Sequence, residues 1–117
     1  MAKPVPANLA PYVEALGAEG AVALFLALGG TQIYLPRRSS ERSAMAKTIG
    51  AKNVERLAAV LGSDYIKVPL ARRWVAQQLR DGGASDNEIA RMVRADVATV
   101  RRWLGPRSSA EQLTLPI

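Results

Sequence analysis

The hydrophobic pattern first predicts a buried helix that is followed by a short strand. The segment Ala21–Leu28 is apolar on nearly every side, and Gly29–Gly30 ends it. Thr31–Leu35 has the β-branched and aromatic residues that favour a strand, and Pro36 ends this strand. Side chains alternate along a strand, so one side carries Ile33 and Leu35 and the other carries Gln32 and Tyr34. A helix that is apolar all round needs burial on two sides, most simply against a second copy of the chain.

The same plan recurs 33 positions further along the chain. Residues 17–36 and 50–69 share seven identical residues in twenty aligned positions, although an Ala- and Leu-rich chain can produce such matches by coincidence. In the second copy one helix face carries Val54, Leu57, Ala58 and Leu61. The two predicted strands need partners for their backbone groups, and they can pair within one chain or between two chains. A helix around Glu41 to Thr48 is predicted between the copies, and Asn8 is a candidate cap for a helix before Gly17.

Three further helices are predicted after Pro69. Leu70–Asp81 forms the first, with Leu70, Trp74, Val75 and Leu79 inward, and Gly82–Gly83 ends it. Ser85 and Glu88 have the spacing of a capping box, which opens the second helix. The inward positions of a helix-turn-helix are occupied by Ile89, Ala90, Val93, Ala95, Val100 and Trp103. The alternative is an ordinary helical hairpin with a solvated basic face.

The outward face of the last helix has the composition that reading of the DNA major groove requires. Short side chains let the backbone approach, and arginine can bond guanine O6 and N7 or neutralise phosphates. The residues expected at DNA here are Ala98, Thr99, Arg101 and Arg102 on the helix, with Arg94 and Asp96 in the turn before it. Asp96 is also predicted to cap the helix. Arg94 stands where such turns usually have glycine, so we expect either a left-handed residue or a different turn.

Charge and composition narrow the function further. The chain has 16 Lys and Arg against 10 Asp and Glu, and 15 of the basic residues lie within residues 37–107. Clustered basic charge indicates a polyanion such as double-stranded DNA, although basic side chains also serve solubility. The 117 residues include no Cys and no His, which excludes disulfides, thiolate chemistry and His-based triads. The sequence therefore predicts no enzyme, no metal and no cofactor.

A membrane or secretory role is not expected from the apolar segment. Ala21–Leu28 is too short to span a bilayer, and Glu14 and Glu19 precede it instead of a basic region. We therefore expect a cytoplasmic protein that does not contact a membrane.

Leu28–Arg37, with the sequence LGGTQIYLPR, followed by the predicted helix-turn-helix, resembles the Mor transcription activator family of Mu-like phages. The resemblance implies homodimers in which N-terminal helices and a strand after Gly-Gly form an intertwined dimerisation region, with a helix-turn-helix on each side. It also implies activation of phage promoters and contact with RNA polymerase. Gln32 and Tyr34 would lie on a strand face near DNA, and we expect Arg37 and Arg38 at phosphates. The extra unit 50–69 departs from the family pattern.

The C-terminal segment indicates a second partner. Gln112–Ile117, with the sequence QLTLPI, resembles the peptide by which bacterial proteins dock on the sliding clamp of DNA polymerase. In an extended peptide Leu113, Leu115 and Ile117 are alternating anchors, Pro116 orders the backbone, and the Gln112 amide can hydrogen-bond at the pocket rim. The alternative is a loose tail, or one that packs back on its own domain.

The expected fold is mainly α with one or two short β-strands, an N-terminal helix and strand dimerisation region and a C-terminal helix-turn-helix. The predicted parts are residues 1–69 with the two repeats, the DNA-binding domain 70–107 and the tail 108–117. The first hypothesis is a dimeric, sequence-specific DNA-binding protein of phage or prophage type, a Mor-like activator. The second is a DNA-binding adaptor that recruits the sliding clamp, and the third is a packaging protein similar to a terminase small subunit.

Overall fold

The computed structural model describes residues 5–38 and 42–106 of the chain. These residues form helices and one two-stranded antiparallel sheet, which confirms the mainly helical class with short strands. The elements are α1 Ala10–Leu28, β1 Gln32–Leu35, α2 Ala44–Ile49, α3 Ala51–Leu61, β2 Asp64–Lys67, α4 Arg72–Asp81, α5 Asp86–Val93 and α6 Val97–Leu104. The chain divides into two compact units between Val75 and Ala76, inside α4.

Helix α1 is longer than the predicted apolar segment. It begins at Ala10 after Leu9, with no side-chain capping bond, so the expectation that Asn8 caps it is wrong. Gly17 interrupts the helix with φ 75° and ψ 166°, a conformation that glycine adopts without a Cβ penalty. The buried residues of α1 are Tyr12, before Gly17, and Ala21, Leu24 and Phe25, after it.

The two strands pair with each other within the chain, which is one of the two arrangements that the sequence left open. Their register places Ile33 opposite Ile66 and Tyr34 opposite Tyr65. Ile33 and Ile66 are also equivalent positions of the two repeats, so a local two-fold axis relates the strands at this pair. Val68 extends the ladder, because its N–H donates to the Thr31 carbonyl at 2.8 Å and its carbonyl accepts from the Gly30 N–H at 2.7 Å.

The core of the first unit lies between α1, α3 and the inward side of the sheet. Its largest fully buried side chains are Leu24, Phe25, Leu35, Val54, Leu57 and Val68. The predicted inward face of α3 is confirmed for Val54, Leu57 and Ala58, whereas Leu61 is half-buried. Helix α2 lies close to its predicted place, and the Ser43 side chain caps it by accepting from the Ala46 N–H at 3.0 Å.

Aromatic contacts complete this core. The Phe25 ring meets Tyr12 edge to face at a centroid distance of 5.2 Å and Trp74 at 5.9 Å. Burial raises the pKa of the Tyr12 phenol. The pattern therefore correctly predicted Trp74 as an inward residue, and its ring contacts the buried Phe25 of α1.

The first turn of α4 differs from its prediction. The helix begins at Arg72, because Ala71 has a left-handed φ of 51° and cannot be part of a right-handed helix. Leu70 therefore lies outside the helix, and its side chain is 47 % exposed instead of inward. Val75 is buried and Leu79 is half-buried, as the periodicity predicts.

In the second unit, α5 and α6 are joined by Arg94, Ala95 and Asp96. Ile89, Val93 and Val100 are buried, while Ala90, Ala95 and Trp103 are half-buried. The predicted capping box is present: the Glu88 N–H donates to Ser85 Oγ at 3.1 Å and the Ser85 N–H donates to Glu88 Oε1 at 3.2 Å. The Ser85 N–H, foremost, and the Ser85 side chain stabilise the charged Glu88 carboxylate by hydrogen bonding and so lower its pKa, and the positive charge of Arg91 adds to the effect.

Candidate nucleic-acid interface

The connection between α5 and α6 is a left-handed turn at Arg94. Its φ of 56° and ψ of 53° resolve the alternative that the sequence left for a residue other than glycine. This conformation lets the N–H groups of Arg94 and Ala95 both donate to the Ala90 carbonyl, which closes the end of α5. The turn therefore fixes the direction in which α6 leaves α5, and the Arg94 side chain is exposed at the turn.

Helix α6 has one buried side and one outward side. Val100 is fully buried, and Val97, Trp103 and Leu104 are half-buried around it. The outward side carries exposed Ala98, Arg101 and Arg102 and half-buried Thr99. Arg102 Nη2 lies 3.4 Å from Thr99 Oγ1, which holds this arginine along its own helix. The predicted set of outward residues on α6 is thus brought together on one exposed surface.

Asp96 does not have the structural role that its position predicts. It is the N-cap residue of α6 with extended backbone, but its side chain makes no capping hydrogen bond, so that part of the prediction is wrong. The carboxylate is exposed beside the first turn of the helix.

The sequence analysis missed a buried arginine that contacts the end of α6. Arg80, in the last turn of α4, is buried with a side chain 4 % exposed. Its Nη1 donates to the Gly105 carbonyl at 2.9 Å and lies 3.3 Å from the Leu104 carbonyl, at the end of α6. Its Nη2 donates to Asp86 Oδ1 at 3.0 Å, and its Nε is buried without a partner among the described residues. Arg80 therefore joins α4, the start of α5 and the end of α6.

Asp86 connects this buried arginine to the exposed surface of α6. Its second oxygen, Oδ2, accepts from Arg101 Nε at 3.4 Å. The Arg101 side chain is 63 % exposed, whereas that of Asp86 is 16 % exposed. One carboxylate thus holds a structural arginine on one oxygen and a surface arginine on the other.

In the first unit, the outward side of the sheet carries a second set of polar and aromatic side chains. Gln32 and Tyr34 lie on this side, as predicted, and Ile33 and Leu35 face inward. The second strand contributes Tyr65 opposite Tyr34, with the rings edge to face at 5.1 Å, and Lys67 opposite Gln32. We call these four residues the ribbon face. Tyr34 and Tyr65 are 53 % and 64 % exposed, so both rings are accessible on this side of the sheet.

The sequence analysis did not single out Tyr65 or Lys67, although the repeat provided the signal. A shift by 33 positions aligns Gln32 with Tyr65 and Tyr34 with Lys67. The other predicted residues near the strand, Arg37 and Arg38, are exposed just beyond β1. The tail residues Gln112, Leu113, Leu115, Pro116 and Ile117 lie outside the described residues.

Comparisons with protein-family models, with curated proteins and with solved structures found no match to this chain. Within residues 5–38 and 42–106 no group of three or more Cys, His, Asp or Glu side chains could hold a metal ion. Helix α1 is long and apolar enough, by length and composition, to cross a membrane, and 22 % of its most apolar stretch is buried. The expectation that the apolar segment is too short to span a bilayer is therefore wrong for the full helix. A membrane span, a signal sequence and the core helix of a soluble protein all satisfy this criterion of length and composition.

Proposed function

We propose that this protein is a sequence-specific, double-stranded DNA-binding regulator in which α5 and α6 act as a helix-turn-helix. The observation that carries the proposal is the outward surface of α6. It combines small Ala98, half-buried Thr99 and exposed Arg101 and Arg102 above a buried apolar side. A helix with this distribution can enter the major groove with its backbone close to the base edges.

The residues have distinct proposed roles at DNA. Arg101 reads guanine through O6 and N7, because a guanidinium offers two parallel N–H donors at the right spacing. Arg94, at the turn, neutralises a phosphate. The Asp96 carboxylate makes no capping bond to α6, and it accepts a hydrogen bond from a cytosine amino group. Ala98 and Thr99 supply contacts to thymine methyl groups.

The ribbon face is a second proposed DNA contact. Gln32 and Lys67 supply polar and charged donors, and the paired rings of Tyr34 and Tyr65 supply apolar surface. Arg37 and Arg38 follow β1 and add positive charge for phosphates, which strengthens binding to every DNA sequence alike. A strand face of this kind together with a helix-turn-helix is what the resemblance to the Mor family implies. A Mor-like transcription activator of phage or prophage type, with RNA polymerase as a partner, is therefore our proposed regulatory role.

A homodimer in the cytoplasm is the proposed form of the protein. Since β1 and β2 pair within the chain, the strands need no second chain, and the support for a dimer comes from α1 instead. This helix is strongly apolar, yet the chain buries 22 % of its most apolar stretch, and Leu26 is 36 % exposed. A second copy packed on α1 would cover this surface.

The proposal is tested by selection of bound duplexes from a random pool, followed by titrations at several salt concentrations. We expect Arg101→Ala to lower discrimination at one base pair by about 1–3 kcal/mol. Arg37→Ala or Arg38→Ala should weaken binding to all duplexes and reduce the salt dependence by about one counterion. Arg56→Ala removes an equal charge from an exposed position of α3 and is the matched control. A wild-type protein that enriches no sequence would contradict the proposal.

The sliding-clamp adaptor is the second candidate, because Gln112–Ile117, QLTLPI, resembles the clamp-docking peptide. Light scattering on a mixture with purified bacterial clamp tests it. A complex that is lost on deletion of residues 112–117, with DNA binding unchanged, would favour the adaptor over the regulator.

A further inference from the structure

We infer that Asp86 is a positioning residue that orients Arg101 toward one guanine and holds it away from neighbouring phosphates. The inference rests on the proposed function, since it concerns how the same surface of α6 selects its DNA. It is carried by the chain of contacts from buried Arg80 through Asp86 to exposed Arg101.

The first step is the immobility of the carboxylate. Asp86 is held at Oδ1 by the Arg80 guanidinium, which is itself fixed by the Gly105 and Leu104 carbonyls. The Arg80 side chain is 4 % exposed, so surrounding protein atoms restrict its movement. Asp86 therefore presents Oδ2 from a fixed place beside α6.

The second step is the part of the Arg101 guanidinium that Asp86 engages. The bond to Oδ2 uses Nε–H, and the guanidinium has five N–H groups in a rigid plane. Guanine O6 and N7 accept two parallel N–H groups, which the Nη atoms can still supply. A planar fork held at Nε loses less side-chain freedom when it binds a base than a fork that moves freely.

The third step is the effect of charge on competing sites. Asp86 partly neutralises Arg101, which lowers its attraction for any phosphate. A base contact is less dependent on net charge, because it needs the two donors in one orientation. Asp86 thus reduces binding to DNA of the wrong sequence, and selectivity is a difference between right and wrong sites.

Asp86→Asn tests this inference, because it removes the negative charge with little change of shape. We expect discrimination at the base pair read by Arg101 to fall about fivefold or more, while affinity for random duplex rises. A defect of folding alone would lower both affinities together. Asp81→Asn is the matched control: it removes the same charge from an exposed residue of the second unit whose Oδ1 accepts from Gln77 Nε2.

Arg101→Lys gives the companion measurement, since it leaves the bond between Arg80 and Asp86 intact. Lysine keeps the charge for a phosphate but lacks the planar fork. In this background Asp86→Asn should produce no further loss of discrimination. Equal losses from Asp86→Asn in both backgrounds, with both proteins folded by circular dichroism, would overturn the inference.

NMR relaxation of arginine Nε–H groups in the free wild-type protein covers the case in which Asp86→Asn does not fold. The Arg101 Nε–H should be more ordered than that of Arg102, which contacts Thr99 through Nη2 instead. Equal mobility of the two groups would overturn the inference even if the protein binds DNA selectively. A protein with ordered Arg101 but no selected sequence would instead contradict the proposed function.

Discussion

Arg80 and Asp86 form an ion pair, with Nη2 and Oδ1 3.0 Å apart, that links the last turn of α4 to the first turn of α5. The same guanidinium donates to the carbonyl of Gly105, so the end of α6 is bound to the pair. Buried charges are tolerated where each is paired and hydrogen-bonded, and here one arginine of α4 binds groups at the start of α5 and at the end of α6. This pair therefore connects all three helices of the second unit.

Arg80→Ala should therefore destabilise the second unit by about 3 kcal/mol, since it leaves a mostly buried carboxylate and a helix end without their partner. Urea denaturation followed by circular dichroism measures the change. Arg91→Ala removes an exposed arginine of α5 and should change the free energy of unfolding by about 0.5 kcal/mol or less. Equal effects of the two substitutions would show that the Arg80 contacts contribute little.

Gly29→Ala should destabilise the first unit by about 1–3 kcal/mol, because the site has no room for a methyl group. A Cβ there would overlap the Phe25 carbonyl oxygen and lie 3.0 Å from the Pro69 carbonyl oxygen, and backbone atoms cannot turn aside. Gly82→Ala is the control, since its Cβ would lie 3.5 Å from the Gln78 carbonyl oxygen, an ordinary contact. Thermal unfolding of the two variants should separate them, and a similar melting temperature would contradict the predicted clash.

The elements predicted from the sequence are those whose signals are local. The capping box needs Ser85 and Glu88 three positions apart, and the strand needs alternating residues that end at Pro36. The repeat predicted a second strand, and the structure adds that Ile33 faces Ile66. Local patterns do not contain the choice between pairing within one chain and between two chains, because both satisfy the same backbone groups.

The missed features depend on contacts between distant residues or on unusual backbone. Arg80 contacts Gly105, 25 residues away, so no short spacing could identify it as a buried residue. The prediction that Leu70 belongs to α4 is wrong because Ala71 has a left-handed backbone. An alanine in the sequence gives no indication of that conformation. The outward residues of α6 were predictable because their helix follows a regular period, whereas the contact of Arg101 with Asp86, 15 residues away, was not.

Glu88 should make the stability of the second unit depend on pH in the acid range. Its folded-state pKa lies below the ordinary value of 4.5, so its contribution is present above that value and is lost as pH falls through the folded pKa. Glu88→Gln keeps a side chain that can accept from the Ser85 N–H but cannot titrate. The difference between the urea midpoints of the wild type and of Glu88→Gln should therefore be larger at pH 6 than at pH 3.

Glu19→Gln is the control for this pH dependence, because it removes a carboxylate from an exposed position of α1 in the first unit. It should leave the difference between the two urea midpoints of the second unit unchanged. A Glu88→Gln protein with the same acid sensitivity as the wild type would contradict the proposed contribution of the capping box.

Arg94→Gly should separate stability from DNA affinity. Glycine adopts the left-handed backbone of the turn without the penalty of a Cβ, so we expect a gain of about 0.5–1 kcal/mol in unfolding free energy. Loss of the charge should weaken binding to all duplexes alike. Arg94→Ala loses the same charge but keeps the backbone penalty, so it should weaken DNA binding without the gain. A gain with alanine equal to that with glycine would contradict the backbone explanation.

The dimer prediction concerns α1, because β1 and β2 pair with each other within one chain. Leu26→Glu places a charge on the exposed apolar side of α1 and should reduce the mass in solution from twice the chain mass to the chain mass of 12.6 kDa. Val60→Glu makes the same change on α3, where Val60 is 40 % exposed, and should leave the mass unchanged. Size-exclusion chromatography with light scattering measures both variants. A wild-type protein with the mass of one chain at high concentration would contradict the proposed dimer.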